Sequence, residues 1–94
     1  MKEWNKKQLG IMIKQIDLFQ ENKLEINLLV EKLWGLYEVI DESEKTDDFM
    51  NGFHEYWDYL EEIIAVNKIS DYENKIKNEL IPDLKRFLQF YLSN

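Results

Sequence analysis

Ninety-four residues with 45% apolar content, five Phe, five Tyr and three Trp suffice for one packed core, which excludes a disordered chain and a second domain. The absence of cysteine excludes a disulfide framework, a thiolate metal site and a cysteine nucleophile. A formal charge of −7 opposes binding to nucleic acid or an anionic membrane, because both require Lys and Arg to displace counterions, so a basic partner is the natural complement.

Apolar residues recur at helical spacing from end to end, with three Gly, one Pro and no strand alternation or internal repeat. The first helix is expected over residues 5–20, with Leu9, Met12, Ile13, Ile16 and Phe19 on one face and a break at residues 21–23. A second helix is expected to start after Asn27, a good cap residue, and to reach Ile40. Its apolar arc, with Leu28 and Val39 added to Leu29, Val30, Leu33, Trp34, Leu36 and Tyr37, exceeds half the circumference. Such an arc suits a central helix touching several neighbours.

Residues 41–45 form a polar loop, after which Thr46 caps a third helix reaching Val66, with Asp47 and Asp48 at its positive end. Phe49, Phe53, Tyr56, Trp57, Leu60, Ile63 and Ile64 make its buried face. The fourth helix begins with Ser70-Asp71-Tyr72-Glu73, the form of a capping box, and carries Ile76, Leu80, Leu84, Phe87, Leu88 and Tyr91. Pro82 removes a backbone donor and clashes with the carbonyl of Asn78, so this helix is expected to be kinked or divided there. The expectation is a single all-α domain over residues 1–94, an antiparallel bundle of about four helices. No leader pattern opens the chain and apolar runs such as residues 63–66 are too short for a bilayer, so a cytoplasmic protein is expected.

The charge is concentrated. Residues 38–62 hold ten carboxylates against one base, Lys45, whereas the rest of the chain has nine acids and eleven bases. On the third helix Asp48, Asn51, Glu55, Asp58 and Glu62 follow one another at helical spacing opposite the aromatic face, with no lysine among them. Like charges at that spacing destabilise a helix by a few tenths of a kcal/mol each, so the ridge is either a solvated face or a binding surface. On the second helix Glu31, Gly35, Glu38 and Glu42 make another line, whose glycine marks either close packing within the fold or the approach of a partner. Tyr59 lies beside the ridge, as an interface anchor or a half-buried rim residue. Trp4, Ile11 and Leu18, seven apart, form a second stripe on the first helix, either packed between two neighbours or serving as a homodimer seam.

His54 lies within helical reach of Asp58 and Glu61, but there is no second histidine and no Glu-x-x-His pair. No phosphate-binding loop, nucleophile elbow or His-Glu-x-x-His motif occurs. Neither a catalytic residue nor a metal or other cofactor is expected.

The segment Leu33-Trp34-Gly35-Leu36-Tyr37-Glu38, then Ile40-Asp41-Glu42, Phe49, Phe53 and residues 56–65 (Tyr56-Trp57-Asp58-Tyr59-Leu60-Glu61-Glu62-Ile63-Ile64-Ala65) resembles small all-helical immunity proteins of bacterial toxin systems. Those of contact-dependent growth inhibition are among them. The likeness covers about residues 25–88 and is most distinctive over residues 49–65; the first helix and Pro82 have no counterpart in it. It implies an antidote that binds a toxin domain, many of which are nucleases with basic active sites. Under that reading Glu38, Glu42, Asp48, Glu55, Asp58, Tyr59 and Glu62 are the expected contacts. Two alternatives stand beside it: a homodimeric bundle of structural or regulatory role joined through Trp4, Ile11 and Leu18, and an acidic mimic of nucleic acid.

Overall fold

Four helices carry about three-quarters of the chain. In the computed structural model, which describes residues 1–94, α1 spans Glu3–Gln20, α2 Ile26–Glu38, α3 Asp47–Ala65 and α4 residues 73–93. The last is built from an opening turn, Glu73–Lys75, a π-helical turn, Ile76–Leu80, and an α-helical stretch, Ile81–Ser93. A 3-10 turn, Glu42–Glu44, lies in the α2–α3 connection. No helix is long and apolar enough to cross a membrane.

The chain signals that end helices act as local chemistry dictates. After α1 and α3 the chain turns through Asn22 (φ 62°) and Asn67 (φ 56°), and asparagine tolerates the left-handed region better than other side chains bearing a Cβ. Lys23 N–H donates to the Leu18 carbonyl at 2.8 Å and Lys68 N–H to that of Ile63 at 3.0 Å, so both ends close as Schellman motifs. The expected cap of α3 is present, with Thr46 Oγ1 accepting from Phe49 N–H at 3.3 Å.

Two expected starts are corrected. Helix α2 begins at Ile26, with Glu25 in extended conformation before it and no side-chain cap, because burying Ile26 in the core draws the first turn in ahead of Asn27. The Ser70 capping box does not form. Residues 69–72 are turns, held by Asp71 N–H to the Lys68 carbonyl at 3.1 Å, and helical hydrogen bonding starts only at Glu73.

Consecutive helices pack antiparallel. Asn5 at the start of α1 meets Asp41 beyond the end of α2; Trp57 Nε1 donates to the Val30 carbonyl across α2 and α3 at 2.9 Å; Phe87 of α4 lies over Gly52 of α3. Helix α1 also packs closely against α4, which closes the ring of four. The core includes Leu9, Met12, Ile16, Leu29, Leu33, Phe49, Phe53, Leu60, Leu84 and Leu88, all fully buried. At roughly 1.5–3 kcal/mol for each large side chain taken from water, these dominate the stability.

Helix α1, flanked closely by α2 and α4, holds the position expected of α2, whose Leu28 and Val39 stay outside, 47% and 50% exposed. Helix α3 stands further off because aromatic rings fill the space on both its sides. Tyr37 and Phe53 stack at 4.1 Å between centroids, Trp34 and Trp57 lie tilted against each other at 4.5 Å, and Phe49 meets Tyr91 edge-on at 5.0 Å.

At Pro82 the helix neither breaks nor leaves the α region; Leu80 (φ −63°, ψ −51°) and Ile81 (φ −69°, ψ −45°) are regular. Relief comes one turn earlier. Ile81 N–H donates to the carbonyl of Ile76, five residues back, so the hydrogen-bond register has already shifted when the residue without an N–H arrives. The extra residue in that turn corrects the expected stripe: Ile81 is fully buried, and Leu80, which α spacing from Ile76 selects, is only half-buried.

Candidate functional site

The ten carboxylates of residues 38–62 divide into those the fold uses and those it leaves free. Asp41 and Glu44 are used. Glu44 Oε1 accepts from the N–H of Lys2, the cap residue of α1, at 2.7 Å and also from the Asn5 amide. Asn5, fully buried, returns its Oδ1 to the N–H of Asp41 at 3.2 Å and reaches Asp41 Oδ2 at 3.4 Å. Helix α1 has no side-chain cap of its own, so a carboxylate 42 residues along the chain satisfies its exposed donor at the positive end of the dipole.

The Lys2 N–H bond, helped by the Asn5 amide, holds the Glu44 carboxyl below the ordinary glutamate range. A lowered value in the folded state means stability that is present above the unfolded value and lost as pH falls through the folded one. Urea midpoints of Glu44→Gln and the parent protein are therefore expected to differ at neutral pH. The difference should shrink as pH falls through the lowered folded value and Glu44 protonates, and a gap that widens in acid would contradict this cap.

Lys45, the single base of the segment, is turned inward. Its side chain is nearly buried, with Nζ 4.5 Å above the Tyr37 ring and 3.3 Å from Glu42 Oε1. Burial and then the Glu42 carboxylate push the Tyr37 hydroxyl above its ordinary value. This base forms its ion pair with Glu42 and none with a carboxylate of α3.

On α3 the ridge is open. Asp48, Asn51, Glu55, Asp58 and Glu62 are all exposed, with Asp47 and Glu61 beside them, and the helix contains six acids and no Lys or Arg. The one imidazole on it, His54, places Nδ1 3.6 Å from Asp58. His54 packs edge-on against Trp34 at 5.6 Å and Tyr37 at 5.5 Å, so its ring also covers the aromatic core. His54, Asp58 and Glu61 do not converge into a group able to hold a metal ion.

Tyr59 is exposed at the edge of the ridge, with Lys75 of α4 over its ring at 5.4 Å. Tyr59, Glu62, Ile63, Val66, Lys68 and Tyr72 line a shallow depression where the ridge ends, and Val66 is exposed there. The expected contacts therefore fall into two places. Asp48, Glu55, Asp58, Tyr59 and Glu62 share the outer face of α3, whereas Glu38 and Glu42 are exposed on α2 and in the following turn, with Glu42 engaged by Lys45.

Gly35 does not mark close packing within the fold: a Cβ built there meets nothing within 4 Å. Of the second stripe on α1, Trp4 is 54% exposed, with Nε1 3.4 Å from the Val39 carbonyl, and Ile11 and Leu18 are half-buried. Gly52 of α3, which lies under the Phe87 ring, is not among the residues that charge and spacing single out. Its signal was a glycine inside a helix between Phe49 and Phe53, facing another aromatic helix.

No family model matches the chain, and neither a curated protein nor a solved structure matches it.

Proposed function

We propose that this chain is a protein-binding module that neutralises a basic bacterial toxin domain, in the manner of the immunity proteins its central segment resembles. The observation that carries the reading is the exposed carboxylate face of α3, on a helix without Lys or Arg, whose nearest base in sequence, Lys45, is held inward by Tyr37 and Glu42. A helix under no demand but solubility gains from interleaved lysines, and this one forgoes them. Preorganised carboxylates accelerate encounter with a basic surface and compete for the Lys and Arg that hold phosphate in a nuclease. Tyr59 adds an amphipathic ring at the edge, the residue type that anchors polar interfaces.

Co-purification with a basic toxin domain encoded beside this chain tests the class of partner, and the double variant Asp58→Lys, Glu62→Lys tests the face. Both positions are exposed, so the variant is expected to fold while its dissociation constant for the toxin rises about ten- to hundredfold. Unchanged affinity in the folded variant would remove α3 from the interface.

A further inference from the structure

We infer that the outer face shared by α1 and α2 is a self-association surface, which takes a second copy of this chain related by a two-fold axis along the bundle. This does not rest on the toxin-binding reading, which concerns α3. Trp4, Ile11 and Leu18 fall on one line of α1, Leu28 and Gly35 lie within about 20° of one another on α2, and Val39 follows directly at the C-cap of α2. The contact of Trp4 Nε1 with the Val39 carbonyl sets the two lines side by side on one face. Trp4, Leu28 and Val39 are three of the most exposed large apolar side chains of the molecule. Gly35 opens the middle of the strip, where nothing in the fold occupies the space a side chain would take.

The charges flanking this strip identify the occupant. On the α1 side run Lys7 and Lys14; on the α2 side run Glu31 and Glu38; all four are exposed and none has an ion-pair partner within the chain. The antiparallel pairing, anchored at Trp4–Val39 and Asn5–Asp41, brings Lys7 level with Glu38 and Lys14 level with Glu31. A two-fold axis along the bundle exchanges left and right while keeping height, so it lays α1 of one copy over α2 of the other. Lys7 then faces Glu38 of the second copy, and Lys14 its Glu31, each contact made twice. The rim is thus complementary to itself, as an isologous interface must be, around a centre that is apolar except for the exposed Lys32 of α2. The ridge of α3 lies away from this face and stays open in the pair.

Light scattering on the eluting protein, read against a chain mass of 11.5 kDa, is expected to give twice that mass. Leu28→Lys, at an exposed position, is expected to raise the dissociation constant at least a hundredfold without altering the helical circular dichroism. Lys14→Glu and Glu31→Lys are each expected to raise it about tenfold, because the change acts twice across a symmetric interface, and their combination is expected to return it towards the parent value. That recovery separates a paired contact from damage to the fold. A monomer at about 1 mM, or a dimer indifferent to all three single variants, would overturn the proposal.

Discussion

Replacing Phe53 by alanine is expected to lower the unfolding free energy by about 3–5 kcal/mol, the range for emptying a buried aromatic site. The ring is fully buried and stacks on Tyr37 at 4.1 Å with their planes 1° apart. Its removal leaves a cavity and strips one face of the residue that supports Lys45. Against the 5–15 kcal/mol that usually holds a domain folded, such a loss is a large share. For a domain of this size the melting temperature should fall on the order of 20 °C. Phe53→Leu, which keeps much of the volume, should lose appreciably less. Urea unfolding of both variants checks this, and a loss under about 1 kcal/mol for the alanine variant would mean that the rings around Phe53 close over the gap.

Gly52→Ala is expected to destabilise the protein by about 1–3 kcal/mol, the opposite of what helix propensity alone gives, since alanine is normally favoured over glycine by roughly 1 kcal/mol. A Cβ at this position collides with Phe87 Cε1 and stands 2.7 Å from Cζ. The Phe87 ring is poorly placed to retreat, because it lies between Phe49 (5.8 Å), Tyr56 (5.9 Å) and Tyr91 (5.1 Å), and any shift loosens three ring contacts at once. In a Phe87→Leu background, where the collision is relieved, the same change should be neutral or stabilising. The double-mutant cycle reads that difference as a coupling energy, and a coupling near zero would show that the ring yields freely.

The helices and most of their buried faces were legible in the sequence because a period of 3.6 written in Leu, Ile and Phe has one physical reading in a chain with so few breakers. Thr46 was legible for the same reason: its cap bond closes within three residues. The cap of α1 was not, since Glu44 reaches it from 42 residues away and nothing local marks the pair. The start of α2 at Ile26 and the failure of the Ser70 box reflect tertiary burial and turn geometry overruling cap chemistry worth about 1 kcal/mol. Pro82 signalled a disturbance but not its form; a π turn placed ahead of it moves Ile81 inward and Leu80 outward. The acidity of α3 was fully legible, whereas the diversion of Asp41, Glu44 and Lys45 into the fold depended on where the 3-10 turn lies against α1.

The ring order of the helices bears on how the chain reaches this structure. Each of α1–α2, α2–α3 and α3–α4 joins segments separated by a short connection, so three of the four seams can form as local hairpins with little loop-closure entropy. Only the seam between α1 and α4, where Lys85 meets Asp17 at 2.6 Å across 68 residues, joins the two ends of the domain. The contacts of longest sequence separation are therefore concentrated in the seam of α4 with α1, so changes along that seam act on the part of the fold that carries the largest loop-closure entropy.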